Sequence, residues 1–269
     1  MSPIKAVVFD WAGTMVDFGS RAPVEALVAA FAAEGVALSA EDARRDMGLA
    51  KRDHVRALFA HPPVARAWAE ARGANPDEDD GDRINRALEP LMAEAAGRCS
   101  ALIPGAAKVV DGLRARGVRI GSGTGYTRAM MAGILPRAAA QGYAPDVVVC
   151  AGETPSGRPS PLMTWQALIA LDAWPARLCV KVDDAEVGIQ EGRAAGCWTV
   201  GVAASGNGVG LSLAELQTLS ESERRARIDR AAQSLEGAGA HLVIDTVADL
   251  PLALSDIERR IAAGRSPWS

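Results

Sequence analysis

Short apolar runs recur along this 269-residue chain and alternate with helix-forming stretches. The first run, Ala6–Phe9, stops at Asp10 and turns through Gly13. Similar runs follow at residues 118–121, 147–150, 178–182, 199–202 and 242–244. Runs that are apolar on both faces are typical of buried parallel strands. The alternation therefore predicts an α/β fold with an open, doubly wound parallel sheet, in which ligands bind at the carboxyl ends of the strands.

A helical block interrupts this alternation between residues 21 and 99. Helical patterns predict helices at residues 23–34, 40–47, 52–60, 63–72 and 82–96, and further helices lie between the later strands at 106–116, 127–140, 161–171 and 187–195. The acidic segment 73–81 and the glycine-rich segment 205–210 are predicted loops, the second of them flexible. We expect a helical cap, residues 21–99, inserted into an α/β core of residues 1–20 and 100–269, with hinges near 19–22 and 100–105.

Charge and composition exclude several classes of partner. The formal net charge of -4 offers no general attraction to nucleic acid or to an anionic membrane, and no apolar stretch approaches the length of a membrane span. The N-terminal apolar run is too short for a signal peptide. Four widely spaced cysteines, Cys99, Cys150, Cys179 and Cys197, are typical of reduced thiols. We expect a cytoplasmic protein without nucleic-acid or membrane partners.

Polar residues gather at the predicted strand ends. Asp10 and the pair Asp183–Asp184 offer carboxylates that could act as a nucleophile or hold a hard cation, although a turn acid or a solvated turn would look the same. The small residues 121–125, which include Thr124, could admit a phosphate to backbone N–H groups, or simply form a strand-to-helix turn. Arg158, between Gly157 and Pro159, could clamp a phosphate, although the chain has many arginines.

Lys51 is the one lysine that solvent or a strand edge does not readily explain. The other three are Lys5, Lys108 and Lys181, and we expect each of them to be solvated or at a strand edge. Lys51 lies at a helix–turn–helix junction beside Arg52 and one helical turn before His54. A desolvated lysine loses its proton more easily and can attack a carbonyl group. An exposed surface lysine remains the alternative.

The order and spacing of these motifs resemble the haloacid dehalogenase superfamily. Its four motifs correspond to the DxxGT segment from Asp10 to Thr14, then Thr124, then Arg158, then the Asp183–Asp184 pair. The longer segments resemble the phosphonoacetaldehyde hydrolase (phosphonatase) family more closely; they read FDWAGTMVDFG, MGLAKRDHVRAL, GSGTGYTR, GRPSP, KVDDA and AGCWTVGV. The resemblance implies a Rossmann-like core with a helical cap, and it extends from residue 4 to about residue 257.

Ala12 and Lys51 are the most specific parts of this resemblance. Most phosphatases of the superfamily carry a second aspartate where this chain has Ala12, and that acid protonates an alkoxide leaving group. Cleavage of a carbon–phosphorus bond leaves a carbanion instead, and an imine on Lys51 could take up its electrons. The resemblance therefore implies that Asp10 attacks phosphorus while Lys51 holds the aldehyde of phosphonoacetaldehyde, releasing acetaldehyde and phosphate.

The resemblance also assigns the remaining site residues. Mg²⁺ would be bound by Asp10, the Ala12 backbone carbonyl and Asp184. The phosphoryl oxygens would be held by Thr124 and Arg158, with backbone help from Ala12 and Gly123. The imine site would be shaped by Met47, Gly48, His54 and Tyr126, with His54 relaying a proton. Family members are typically homodimers joined through their caps, so we expect a homodimer.

Two departures and two alternatives stay open. Gly188 stands where some members have an acid, so Asp183 or Glu186 would supply the outer charge of the metal site, and Ser20 replaces a frequent cysteine. A phosphatase or phosphomutase of the same superfamily, acting on a small phosphate ester, is the alternative enzyme, and Ala12 argues against it. A catalytically silent binding protein is the alternative from another class, and the intact set of site residues argues against it.

Overall fold

A six-stranded, fully parallel sheet forms the centre of the molecule. The structure, a computed structural model, describes residues 2–268 except for the side chain of Ala96. The strands are β1 Ala6–Phe9, β2 Arg119–Thr124, β3 Val147–Cys150, β4 Cys179–Asp183, β5 Trp198–Val202 and β6 Leu242–Ile244. Their order across the sheet is β3-β2-β1-β4-β5-β6. The central strand β1 pairs with β2 and β4, with Phe9 opposite Ser122 and Val182. This arrangement confirms the predicted doubly wound α/β fold.

Helices cover both faces of the sheet. In the core they are α6 Ala106–Ala115, α7 Arg128–Met131, α8 Ile134–Ala140, α9 Leu162–Ala170, α10 Glu186–Ala194, α11 Leu213–Thr218, α12 Glu221–Gly237 and α13 Leu250–Ala262. Val7 and Phe9 belong to the apolar cluster that includes residues of α6 and α13, whereas Val8 packs with α9 on the opposite face. Both faces of β1 are therefore buried, which is why its sequence is apolar throughout.

Residues 21–99, which we call the cap, are helical. The cap helices are α1 Ala22–Ala33, α2 Ala40–Arg44, α3 Lys51–Ala60, α4 Pro62–Arg72 and α5 Glu78–Arg98. Phe31, Phe59 and Trp68 form an aromatic cluster inside the cap, with ring centroids 4.8 to 5.8 Å apart. Contacts of this kind stabilise the cap from within.

The two chain segments that join cap and core run side by side. The Ile103 N–H donates a hydrogen bond to the Met15 carbonyl at 2.9 Å, and the Asp17 N–H donates to the Ala101 carbonyl at 3.1 Å. Gly19 has a φ of +90°, a value at which glycine is favoured. The backbone thus changes direction where the sequence predicts a hinge.

Several helix boundaries differ from the predicted ones. The predicted helix 40–47 ends at Arg44, because Asp46 and Gly48 have positive φ values of 54° and 94°. The predicted helix 127–140 is divided into α7 and α8, and α5 begins inside the predicted acidic loop with a capping box between Asp77 and Asp80. All four cysteines are free thiols. Within residues 2–268, every helix is too short or too polar to cross a membrane.

Candidate active site

The turn after β1 brings a carboxylate to the edge where the strands end. Asp10 follows β1 directly, and its N–H donates a hydrogen bond to the Val182 carbonyl at 2.9 Å. Gly13 has a φ of +84°, and a Cβ atom there would lie 2.2 Å from Oδ2 of Asp184. Glycine at this position therefore lets Asp184 approach the turn, where the Thr14 hydroxyl donates to its Oδ1 at 3.2 Å.

Three buried carboxylates converge at this edge. One oxygen each from Asp10, Asp183 and Asp184 lies within 4.8 Å of the others. Burial, and then the charge of Asp183, raises the pKa of Asp10 from 3.8 to about 6, although Arg158 opposes the shift. Burial and the charges of Asp10 and Asp183 also raise the pKa of Asp184. A cation relieves such repulsion, and oxygen ligands suit a hard divalent ion, so this cluster fits a divalent metal.

Arg158 is buried against the same cluster. Its Nη2 lies 2.8 Å from Oδ1 of Asp10 and donates a hydrogen bond to the Gly123 carbonyl, also at 2.8 Å. Its Nε donates to Oε2 of Glu191 at 2.9 Å. These contacts fix the guanidinium beside Asp10, so an anion bound at Asp10 would meet a preplaced cation.

Lys181 is fully buried on the interior strand β4, so the expectation of a solvated or strand-edge lysine was wrong. Its Nζ lies 3.1 Å from Oδ2 of Asp183 and 3.3 Å from Oε2 of Glu191. Glu191 also accepts hydrogen bonds from the backbone N–H and the hydroxyl of Thr164, at 3.0 and 2.8 Å. A lysine inside a strand that is apolar on both faces needs acid partners, and this signal in the sequence could have revealed the network.

Lys51 begins α3 and is 5% exposed. Its Nζ lies 3.9 Å from Sδ of Met47 and 5.5 Å from the ring centroid of Tyr126. Burial lowers the pKa of Lys51 from 10.5 to about 8; the charge of Asp10 opposes this shift and the charge of Arg158 adds to it. The reactive neutral amine is therefore populated near neutral pH, as nucleophilic attack on a carbonyl requires.

His54 lies one helical turn beyond Lys51 and is fully buried. Neither ring nitrogen has a well-formed hydrogen bond within the described residues. Burial lowers the pKa of His54 from 6.5 to about 3, and the charge of Lys51 acts in the same direction, against the backbone carbonyls of Arg45 and Ala43. The imidazole is therefore neutral at physiological pH.

Two glycines let the cap backbone touch the core beside the site. Gly48 has a φ of +94°, and a Cβ atom there would lie 2.8 Å from Cγ2 of Val187. Across the interface, a Cβ atom at Gly125 would lie 2.6 Å from the Leu49 carbonyl oxygen. A side chain at either position would push cap and core apart.

The cap and the core enclose a cavity of about 20 Å³, which is room for about one water molecule. Of the predicted site residues, its lining includes Asp10, Ala12, Met47, Gly48, Lys51, Thr124, Tyr126, Arg158 and Asp184. Ser20, Pro23, Leu49, Gly125, Asp183 and Ala185 complete the lining. The predicted residues Gly123 and His54 do not contribute to it: Gly123 accepts the hydrogen bond of Arg158, and His54 is buried within the cap.

Of the two acids that could supply the outer charge of the metal site, Asp183 belongs to the acid cluster. A Cβ atom at Gly188 would lie 2.0 Å from Oδ2 of Asp183, so this position has no room for a side chain while Asp183 occupies it. Glu186 instead accepts a hydrogen bond from the Ser234 hydroxyl, away from the cluster.

Residues 121–124 belong to strand β2, so the alternative of a simple strand-to-helix turn does not hold for them, and the alternative of a phosphate site stays a prediction. β2 continues to Thr124, whose hydroxyl oxygen accepts a hydrogen bond from the Tyr126 N–H at 3.1 Å. A Cβ atom at Gly121 would lie 2.9 Å from Cδ1 of Leu171, so glycine here serves helix packing against the sheet.

Comparisons with known proteins point to one family. Residues 4–196 match the family model of the haloacid dehalogenase-like hydrolases. A phosphonoacetaldehyde hydrolase of Paraburkholderia xenovorans is 48% identical over 99% of this chain and 100% of its own length, and one of Bordetella pertussis is 46% identical over 98% and 96%. A crystal structure of a phosphonoacetaldehyde hydrolase-like protein from Oleispira antarctica superimposes with a TM-score of 0.97, at 42% identity over 98% of this chain and 96% of that one.

Proposed function

Because this chain belongs to the phosphonoacetaldehyde hydrolase family of haloacid dehalogenase-like hydrolases, we propose that it hydrolyses phosphonoacetaldehyde to acetaldehyde and phosphate. One observation carries the mechanism: Asp10 and Lys51, from core and cap, line the same cavity. Ala12 also lines it, where an acid would serve an alkoxide leaving group.

The reaction begins with the amine of Lys51. In its neutral form it attacks the substrate aldehyde, and loss of water gives a protonated imine. The C=N bond of this imine can accept the electrons released at the neighbouring carbon, which is the one bonded to phosphorus. Met47 and Tyr126 keep the amine in apolar surroundings and so favour the neutral form. A proton relay through His54 stays a prediction, since its ring lies outside the cavity lining.

The carbon–phosphorus bond breaks when Asp10 attacks phosphorus. The electron pair of this bond moves toward the imine nitrogen, which gives an enamine on Lys51 and an aspartyl phosphate on Asp10. Arg158 and Thr124 would hold the phosphoryl oxygens as the charge redistributes. Asp10, Asp184 and the Ala12 backbone carbonyl would bind Mg²⁺, which neutralises phosphoryl charge when present.

Two hydrolyses then restore the site. Water attacks the aspartyl phosphate and releases phosphate, so that the Asp10 carboxylate is regenerated. The enamine takes a proton on carbon, and hydrolysis of the resulting imine releases acetaldehyde and the free Lys51 amine. One water is released on imine formation and two are consumed, so the net reaction consumes one.

Borohydride trapping tests this proposal directly. We expect borohydride and phosphonoacetaldehyde together to give a reduced adduct on the peptide that contains Lys51. Phosphonoacetate, which has no aldehyde, should give none. An adduct on another lysine, or none under turnover conditions, would contradict the imine mechanism.

A phosphatase or phosphomutase remains the competing enzyme. It predicts turnover of p-nitrophenyl phosphate or sugar phosphates with none of phosphonoacetaldehyde, whereas a silent binding protein predicts no phosphate release from any of them. Assaying magnesium-dependent phosphate release on all three substrate types separates these functions.

The cap-mediated homodimer also stays a prediction. Among residues 2–268, the exposed large apolar side chains are Trp165, Ile169, Trp174, Leu252 and Trp268, and all of these belong to the core. Size-exclusion chromatography with light scattering, repeated with charge substitutions on the cap surface, tests the dimer and its location.

A further inference from the structure

The glycine-rich loop at residues 203–210, which we call the tether loop, has no part in the chemistry above, yet it contacts the acid cluster. Ser205 is fully buried, and its hydroxyl donates a hydrogen bond to the Gly13 carbonyl at 2.8 Å. A Cβ atom at Gly206 would lie 2.7 Å from Cβ of Asp184. The tether loop therefore packs directly on a carboxylate of the cluster.

Asn207 connects this loop to the cap. Its backbone N–H donates a hydrogen bond to Oδ2 of Asp184 at 2.7 Å. Its side chain makes a reciprocal pair with Arg44: Oδ1 accepts from Nη1 at 3.1 Å, and Nδ2 donates to the Arg44 carbonyl at 3.2 Å. One residue thus holds the acid cluster with its main chain and the cap with its side chain.

Arg44, the last residue of α2, extends the connection to the hinge. Its Nη1 donates to the carbonyls of Gly19 and Ser20 at 2.9 and 3.3 Å, and its Nη2 donates to the Gly210 carbonyl at 2.8 Å. Gly210 has a φ of +69°, and a Cβ atom there would lie 2.6 Å from Nε of Arg44. The half-buried guanidinium therefore fills a space formed by the hinge and the tether loop.

We propose that Arg44 and Asn207 are positioning residues that form a latch, which couples closure of the cap to the orientation of Asp184. The inference rests on the proposed function, because closure matters when Lys51 and Asp10 act on one substrate. Arg44 belongs to the cap and Asn207 to the core, so opening the cap separates the pair. The tether loop then loses its anchor, and Asp184 loses a fixed hydrogen-bond donor.

Hydrogen exchange tests the latch without substrate. In the full chain, Arg44→Gln and Asn207→Ala should speed exchange about tenfold or more at the amides of Gly19 and Asn207, because charged hydrogen bonds that hold the closed state are lost. The matched control is Arg56→Gln, at an exposed arginine of the cap that pairs with Asp53, and it should leave this exchange unchanged. Wild-type protection in both latch variants would overturn the proposal.

Kinetics and metal binding separate a positioning role from a structural one. Each latch variant should lower kcat/KM about tenfold, the double variant should lose no more than either single one, and Arg44→Lys should retain part of the activity. Calorimetry with MgCl₂ alone should show binding weakened several-fold, since Asp184 is less fixed. Additive losses with unchanged Mg²⁺ binding would overturn the latch. If wild type fails to turn over phosphonoacetaldehyde, the proposed function fails, while exchange and Mg²⁺ binding still decide the latch.

Discussion

The cap and the core each bury one lysine beside the same site, and the two lysines have opposite surroundings. Lys181, in the core, lies within 3.3 Å of carboxylate oxygens from Asp183 and Glu191. Lys51, in the cap, has a thioether and an aromatic ring as neighbours. Their neighbours in sequence differ as well, since Lys181 lies between Val180 and Val182 whereas Lys51 lies between Ala50 and Arg52. The partners decide the chemistry: carboxylates compensate a buried ammonium, whereas apolar neighbours favour its loss of a proton.

The largest expected effect comes from removing the amine of Lys51 while keeping its charge. Lys51→Arg cannot form an imine, so kcat should fall about 10³-fold or more. Acetaldehyde release measures the loss, and Lys108→Arg, on α6, is the matched control with wild-type turnover. Near-normal turnover in Lys51→Arg would contradict the claim that Lys51, unlike Lys181, takes part in the chemistry.

For stability we expect the opposite order, in which replacing Lys181 has a large effect and replacing Lys51 has none. Lys181→Met leaves Asp183 and Glu191 buried with less compensation, so the free energy of unfolding should fall by about 3 kcal/mol. Lys51→Met leaves no carboxylate without its partner and adds an apolar side chain to an apolar site, so it should not lower stability. Urea unfolding of both variants measures the difference, and equal losses would contradict it.

The pH dependence of catalysis tests whether ionisation of the Lys51 amine controls the rate. Its pKa is lowered to about 8 by burial, with Asp10 opposing and Arg158 assisting, and the neutral His54 adds no charge. Because the neutral amine reacts, kcat/KM should fall about tenfold for each pH unit between pH 8 and pH 6. A profile of kcat/KM that stays flat between pH 6 and pH 8 would rule out this ionisation as the controlling step.

The smallest expected effect concerns His54. Its pKa is about 3 in the folded protein against 6.5 when free, so the unfolded chain binds more protons between these values and stability falls as pH falls below 6.5. At pH 5 the loss should be about 2 kcal/mol. Unfolding free energies at pH 7 and pH 5, in wild type and His54→Gln, measure it; the variant should lose this part of the pH dependence.

The sheet was the most predictable part of the fold. The bounds of β1, β3 and β6 agree with the predicted runs, because each of these three strands is a short, uninterrupted apolar run in the sequence. The strand β2 was harder to delimit, because Gly121 and Gly123 are weak strand formers. At Gly121 the packing of Leu171 against the sheet favours glycine, which no local pattern shows.

Contacts distant in sequence were the least predictable part of the site. Motif order was enough to nominate Asp10 and Asp184, while Lys51 was nominated by its position among only four lysines and by the resemblance of the segment around it. The folded chain brings all three to one cavity. The pairing of Lys181 with Glu191 and of Arg44 with Asn207 joins residues of separate elements. The apolar strand around Lys181 indicates that it needs an acid partner, but no local pattern identifies which acid that is. The need for glycine at position 188 could not be predicted either, because it arises from the space that the Asp183 side chain occupies in the folded chain.

The closed cavity, at about 20 Å³, cannot admit the substrate. The cap must therefore open and close once in each catalytic cycle, and the rate of this movement sets an upper limit on kcat. A phosphonate with a chain much longer than two carbons would prevent the cap from closing on the core, so the site should select its substrates by chain length.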